Sequence, residues 1–106
     1  MDLKECRETI DVIDNQIVAL FKQRMETVEK IAAYKREHNL PILSAGREQE
    51  VLERISIAAG KKLAPYAQEL FRKLFALSKE YQRQQGGSDD VLPSENHANT
   101  IAIQNH

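Results

Sequence analysis

Cysteine is nearly absent from this chain of 106 residues: Cys6 is the only one. No intrachain disulfide and no cysteine-rich metal site can form. Cys6 itself reads as a small apolar residue in a helix seam. Net charge is nearly absent too. Fifteen Lys and Arg against sixteen Asp and Glu leave -1, so bulk electrostatics make no case for nucleic acid or an anionic membrane as partner. No apolar run approaches the roughly 18 residues that span a bilayer. The opening Met1-Asp2-Leu3-Lys4-Glu5 lacks the basic-then-apolar layout of a secretory signal, and a cytoplasmic protein is expected. There is no glycine-rich phosphate loop and no zinc spacing. His38, His97 and His106 do not stand at helical ligand spacing, so metal binding is not expected. No histidine in the packed part is placed to activate a serine or cysteine, which leaves nucleophilic catalysis without a base.

The longest absence is local. From Leu3 to His38 there is neither proline nor glycine across 36 residues. Apolar side chains recur there at Leu3, Cys6, Ile10, Ile13, Ile17 and Leu20, in alternating steps of three and four. That is the stripe of an amphipathic helix packed on another helix. Asp2 and Glu5 fit a capping box at its start. Asn39 can close it, and Pro41 prevents its continuation. Such a helix is a rod of roughly 54 Å, whereas a compact domain of this size has a radius of gyration of only about 13 Å. One chain cannot bury the whole stripe, so a homodimer with this helix in the interface is expected.

Leu40-Pro41-Ile42-Leu43 is a short connector. Ser44 is a plausible N-cap for a second helix from Ala45 to Ala59, ended by Gly60. Its apolar face is Val51, Leu52, Ile55 and Ala58 or Ala59. Glu48 joins that face four residues before Leu52, and Arg47 lies beside it. Lys61 and Lys62 fall in the loop. A third helix starts near Ala64-Pro65, with the stripe Ala67, Leu70, Phe71, Leu74 and Phe75. The same steps lead on to Ser78, Tyr81 and Gln82. Residues 86–106 are polar and read as a flexible tail without assigned function. The expected architecture is all-α: one domain over residues 1–85, three helices with a very long first one, intertwined in a helical homodimer, and a tail over 86–106.

Polar residues break into these apolar faces. The first stripe calls for an apolar residue where Arg24 stands; it resumes at Val28 and Ile31 and then meets Lys35. Arg24 and Lys35 are eleven residues apart, which is about 20° in direction and about 16 Å in height. Both can touch one small anion lying over Val28 and Ile31. Arg7 stands about 25 Å from Arg24 along the rod, so it serves the same ligand only from a partner chain. Each residue alone has a plainer explanation. Arg24 can pair a glutamate of the partner or Glu48; Ser78 can bond its own helix backbone; Arg7 can simply be solvated. Together, Arg24, Lys35, Glu48, Ser78 and Gln82 interrupt or edge faces on three helices, and burying them without a ligand is costly. The excess of cations suggests an anionic ligand, most naturally a carboxylate.

These residues resemble a known family. Arg7-Glu8-Thr9-Ile10-Asp11-Val12-Ile13-Asp14, Gln23-Arg24-Met25, Ile31-Ala32-Ala33-Tyr34-Lys35, Leu40-Pro41-Ile42, Arg47-Glu48-Gln49-Glu50-Val51-Leu52, and Ser78 with Gln82 are similar, in order and spacing, to the all-helical class of chorismate mutases. The likeness covers about residues 3–85. It implies an intertwined homodimer with two equivalent sites and the rearrangement of chorismate to prephenate in aromatic amino-acid biosynthesis, with no cofactor and no metal. Carried over by position, Arg24 and the partner's Arg7 would hold the two substrate carboxylates. Lys35 and Gln82 would donate to the ether oxygen, Arg47 and Ser78 would help orient a carboxylate, and Glu48 would accept from the ring hydroxyl. Ser44 stands where the family commonly has Asp. A pericyclic reaction fits a chain without a nucleophile or general base: it needs a folded substrate held still and donors aimed at the oxygen that gathers charge. Two other readings stay open. One is an isochorismate-pyruvate lyase on the same fold; the other is a non-enzymatic helical dimer whose cations form interchain pairs.

Overall fold

The computed structural model describes residues 2–88 of the chain. His97, His106 and all of the expected tail beyond Ser88 lie outside the described residues. The described part holds three helices and no strand: α1 (Leu3–Glu37), α2 (Ala45–Ala59) and α3 (Ala64–Gln84). The all-helical class and the helix bounds agree with the sequence reading to within a residue or two.

The ends of the helices follow from local chemistry. The Asp2 carboxylate accepts from the Glu5 backbone N–H at 2.8 Å and caps α1. At the other end Asn39 takes a positive φ of 54°. The Leu40 N–H then donates to the Lys35 carbonyl at 2.8 Å, and the Asn39 N–H to the Arg36 carbonyl at 3.3 Å. This is the paired bonding of a Schellman ending, with asparagine in the left-handed position that glycine usually takes. Ser44 occupies the N-cap position of α2, where its carbonyl accepts from the Glu48 N–H at 3.0 Å. Its side chain does not make the capping bond, so the cap is positional only. Gly60 ends α2 with φ 83°, and Pro65 sits in the first turn of α3.

α3 packs against both α1 and α2. The core is small and gathers where the three meet: Val28, Ala32, Ile42, Val51 and Phe75 are buried. Phe71 stands edge-on to Phe75 with ring centroids 6.4 Å apart. The Tyr81 hydroxyl donates to the Glu29 carboxylate and ties α3 to α1. The first half of α1 takes no part in this core. Leu3, Ile10, Ile13, Ile17 and Leu20 are all exposed, Ile17 by 57% and Leu20 by 63%, and Cys6 is exposed with them.

Gly86, Gly87 and Ser88, which the sequence places in the tail, fold back onto the connector. The Ile42 N–H donates to the Ser88 carbonyl at 3.0 Å, and the Gly87 N–H to the Gln82 carbonyl at 2.8 Å. Arg36 donates to the Gln85 carbonyl beside this turn. A Cβ on Gly87 would lie 2.8 Å from the Gln82 carbonyl oxygen, so the close approach requires glycine. Among the described residues, no helix is long and apolar enough to cross a membrane.

Candidate active site

The polar interruptions of the three helices meet in one cleft of about 450 Å³. α1 supplies Arg24, Val28, Ile31 and Lys35. The connector supplies Ile42 and Ser44. α2 supplies Arg47, Glu48 and Val51, and α3 supplies Phe75, Ser78, Lys79 and Gln82. Lys35, Ser44, Ser78 and Gln82 are buried polar residues, each 7% exposed or less.

Helical spacing explains the convergence. Arg24, Val28, Ile31 and Lys35 follow steps of four, three and four, so they share a face of α1. Phe75, Ser78 and Gln82 do the same on α3. The Arg24 guanidinium donates to the Ser78 hydroxyl at 2.6 Å, and this bond joins α1 to α3 across the cleft floor. The Lys35 ammonium donates to the Ile42 carbonyl at 2.6 Å. One of its three N–H groups is thus used, and two remain for a ligand. Burial pushes the Lys35 pKa down from 10.5 to about 8, with Glu48 pulling the other way. Burial also lowers the Arg24 pKa, and the neighbouring Arg47 charge adds to that. Cations crowded in a half-enclosed space favour a ligand that brings negative charge.

Two of the plainer explanations do not hold. Glu48 does not pair Arg24; its carboxylate meets the Lys79 ammonium at 3.1 Å. Ser78 does not turn back to its own helix but accepts from Arg24. Arg47 lines the cleft while its guanidinium engages Glu50 at 2.7 Å on the outer surface. The buried Gln82 Oε1 has no hydrogen-bond partner among the described residues. An unpaired buried amide oxygen is costly, and the two ends of an amide are told apart only by the partners they find.

Arg24, Lys35, Ser44, Arg47, Glu48, Ser78 and Gln82 therefore share one cavity, and Arg7 does not. Arg7 is exposed on the free half of α1. Lys79 is the residue that the sequence reading missed. Its signal was present: it stands four after Phe75 and three before Gln82, on the same face as both.

The fold and the cleft define a class: an all-helical chain whose three helices wall one cavity with cations. The particular family then follows from comparison. The family described as chorismate mutase type II matches residues 6–83, and the chain belongs to that family. It is 36% identical over 59 residues to the T-protein of Haemophilus influenzae, which covers 56% of this chain and 16% of that protein. It is 41% identical over 54 residues to the bifunctional chorismate mutase/prephenate dehydratase of Aquifex aeolicus, covering 51% of this chain and 15% of that protein. The chain thus spans less than a fifth of the length of either relative. No solved structure matches it significantly.

Proposed function

We propose that this protein is a chorismate mutase, an isomerase that converts chorismate to prephenate in aromatic amino-acid biosynthesis. The observation that carries the reading is the joining of family membership to the cleft: Arg24, Lys35, Glu48, Ser78 and Gln82 line one metabolite-sized space. The name of the Aquifex aeolicus relative includes the same activity.

In the reaction one C–O bond breaks as one C–C bond forms, with the electron pairs moving in a ring, so no proton or group has to leave. The protein's task is to fix the folded substrate and meet the charge that grows on the ether oxygen. Arg24 holds one carboxylate, already aimed by Ser78. Lys35 directs its remaining N–H groups to the ether oxygen. Gln82 presents its amide nitrogen to the same atom; a half-turn of the amide exchanges its two ends. Glu48 accepts from the ring hydroxyl, and Arg47 adds positive charge at the rim. The second carboxylate is met by Arg7 of the partner subunit in a homodimer. The exposed apolar stripe of α1 supports that assembly, as does the distance that keeps Arg7 from its own chain's cleft.

Purified protein incubated with chorismate should consume it and yield prephenate. Loss of chorismate no faster than the uncatalysed background sinks the proposal. Parallel incubation with isochorismate and a pyruvate assay separates the lyase chemistry from the mutase.

A further inference from the structure

We infer that Lys79 is a positioning residue of the cleft, holding the Glu48 carboxylate on the wall and away from Lys35. Its consequence for turnover rests on the mutase reading; the pairing itself does not. Lys79 shares a helix face with the buried Phe75 and Gln82, where an apolar residue would be the ordinary choice. Its Nζ lies 3.1 Å from Glu48 Oε2, and both side chains are about three-quarters covered. The pair joins α3 to the first turn of α2 at the edge of the cleft.

Glu48 is within electrostatic reach of a second lysine, Lys35, whose ammonium it favours. One carboxylate thus stands between two ammonium groups. The structure divides them: Lys79 takes the Glu48 carboxylate, and Lys35 takes the Ile42 carbonyl at 2.6 Å. That division leaves Lys35 with donors to spare and Glu48 fixed on one oxygen. Without Lys79, Glu48 is left with Lys35, whose ammonium already feels its charge, while Arg47 is engaged by Glu50. A Glu48–Lys35 contact would withdraw an acceptor and a donor from the ligand together. Removing one member of a pair that is three-quarters covered leaves the other charge partly desolvated, so thermal denaturation of each variant separates a loss of turnover from a loss of stability.

The test compares kcat and KM for chorismate across wild type, Lys79→Met, Lys79→Arg, Glu48→Gln and the double variant Lys79→Met/Glu48→Gln. Lys79→Met should lower kcat/KM by about tenfold, mainly through kcat, as expected for loss of a charge-assisted contact. Lys79→Arg should restore most of it. The double variant should be no slower than Glu48→Gln alone, since Lys79 acts only through Glu48. Losses that multiply in the double variant overturn the inference. A second readout needs no activity. The Lys79 ammonium signal in nitrogen-15 NMR, identified by its disappearance in Lys79→Arg, should shift in Glu48→Gln. No shift rejects the pairing, whatever the chain does with chorismate. A shift in a protein inert toward chorismate rejects the mutase reading and leaves the pair standing.

Discussion

Lys35 carries two consequences of one burial. Its pKa falls from 10.5 to about 8 because the ammonium is taken out of water. The proposed chemistry needs the ammonium, so kcat/KM should decline as pH rises through about 8. Stability moves the other way. Between about 8 and 10.5 the unfolded chain keeps the lysine proton that the folded chain has released. Where the unfolded state binds more protons, stability rises with pH. Below about 8 both states hold the proton, and the cost of a buried charge is felt in full. Tyr81, whose pKa the hydrogen bond to Glu29 raises above the usual 10, acts in the opposite sense and only at the top of this interval: past about 10 the unfolded chain loses that proton first, and stability falls. Denaturant melts at pH 7 and pH 9.5, compared with those of Lys35→Met, isolate the contribution of this group. A kcat/KM profile flat to pH 9.5 would falsify the role given to Lys35.

The elements that hold Lys35 are the end of α1, the connector and the turn after α3. The Schellman ending sets where the chain leaves α1; Ile42 then supplies the carbonyl that Lys35 needs. Ser88 in turn holds the Ile42 N–H, and Gly87 makes room for that contact. Gly87→Ala would place its Cβ 2.8 Å from the Gln82 carbonyl oxygen and 3.0 Å from Ile42 Cγ1. Overpacking of this kind costs about 1–3 kcal/mol, which for a domain of this size lowers Tm by about 4–8 °C per kcal/mol. Thermal denaturation should show that loss, and turnover should fall with it because Ile42 and Gln82 both move. An unchanged Tm means the turn does not brace the connector. This part of the site was not legible in the sequence. Helix bounds were, since Asp2, Asn39, Gly60 and Pro65 act on their immediate neighbours. The convergence of Arg24, Lys35, Glu48, Ser78 and Gln82 was legible as well, because each breaks a stripe of known period. The Gly86–Ser88 turn and the Lys79–Glu48 pair join residues brought together only by tertiary packing. Glycine and polar composition said "tail" for the first, and beyond its place on the face of Phe75 and Gln82 nothing in the local sequence sets Lys79 apart from the solvated lysines of a helix.

At the scale of the molecule, the principal extents are 62 × 28 × 14 Å, the outline of a rod with a small core at one end. The residues from Asp2 to Leu20 are all exposed, including all six members of the apolar stripe. A contiguous apolar face of that length is unusual on a monomer. The proposed occupant is the same face of a second copy, an isologous contact that brings each Arg7 toward the other chain's cleft. Complementation tests this directly. Arg7→Ala and Arg24→Ala homodimers should each be nearly inactive, since every site in them lacks one carboxylate ligand. In a heterodimer of the two, one site joins the intact Arg24 of one chain to the intact Arg7 of the other, and the second site lacks both. Equal amounts exchanged at random give half heterodimers, each with one working site of two, so activity should recover to about a quarter of wild type. If each site drew both arginines from a single chain, no exchange could repair it. Mass spectrometry of intact dimers shows whether exchange has occurred. Heterodimers formed in full without recovered activity would remove Arg7 from the shared site.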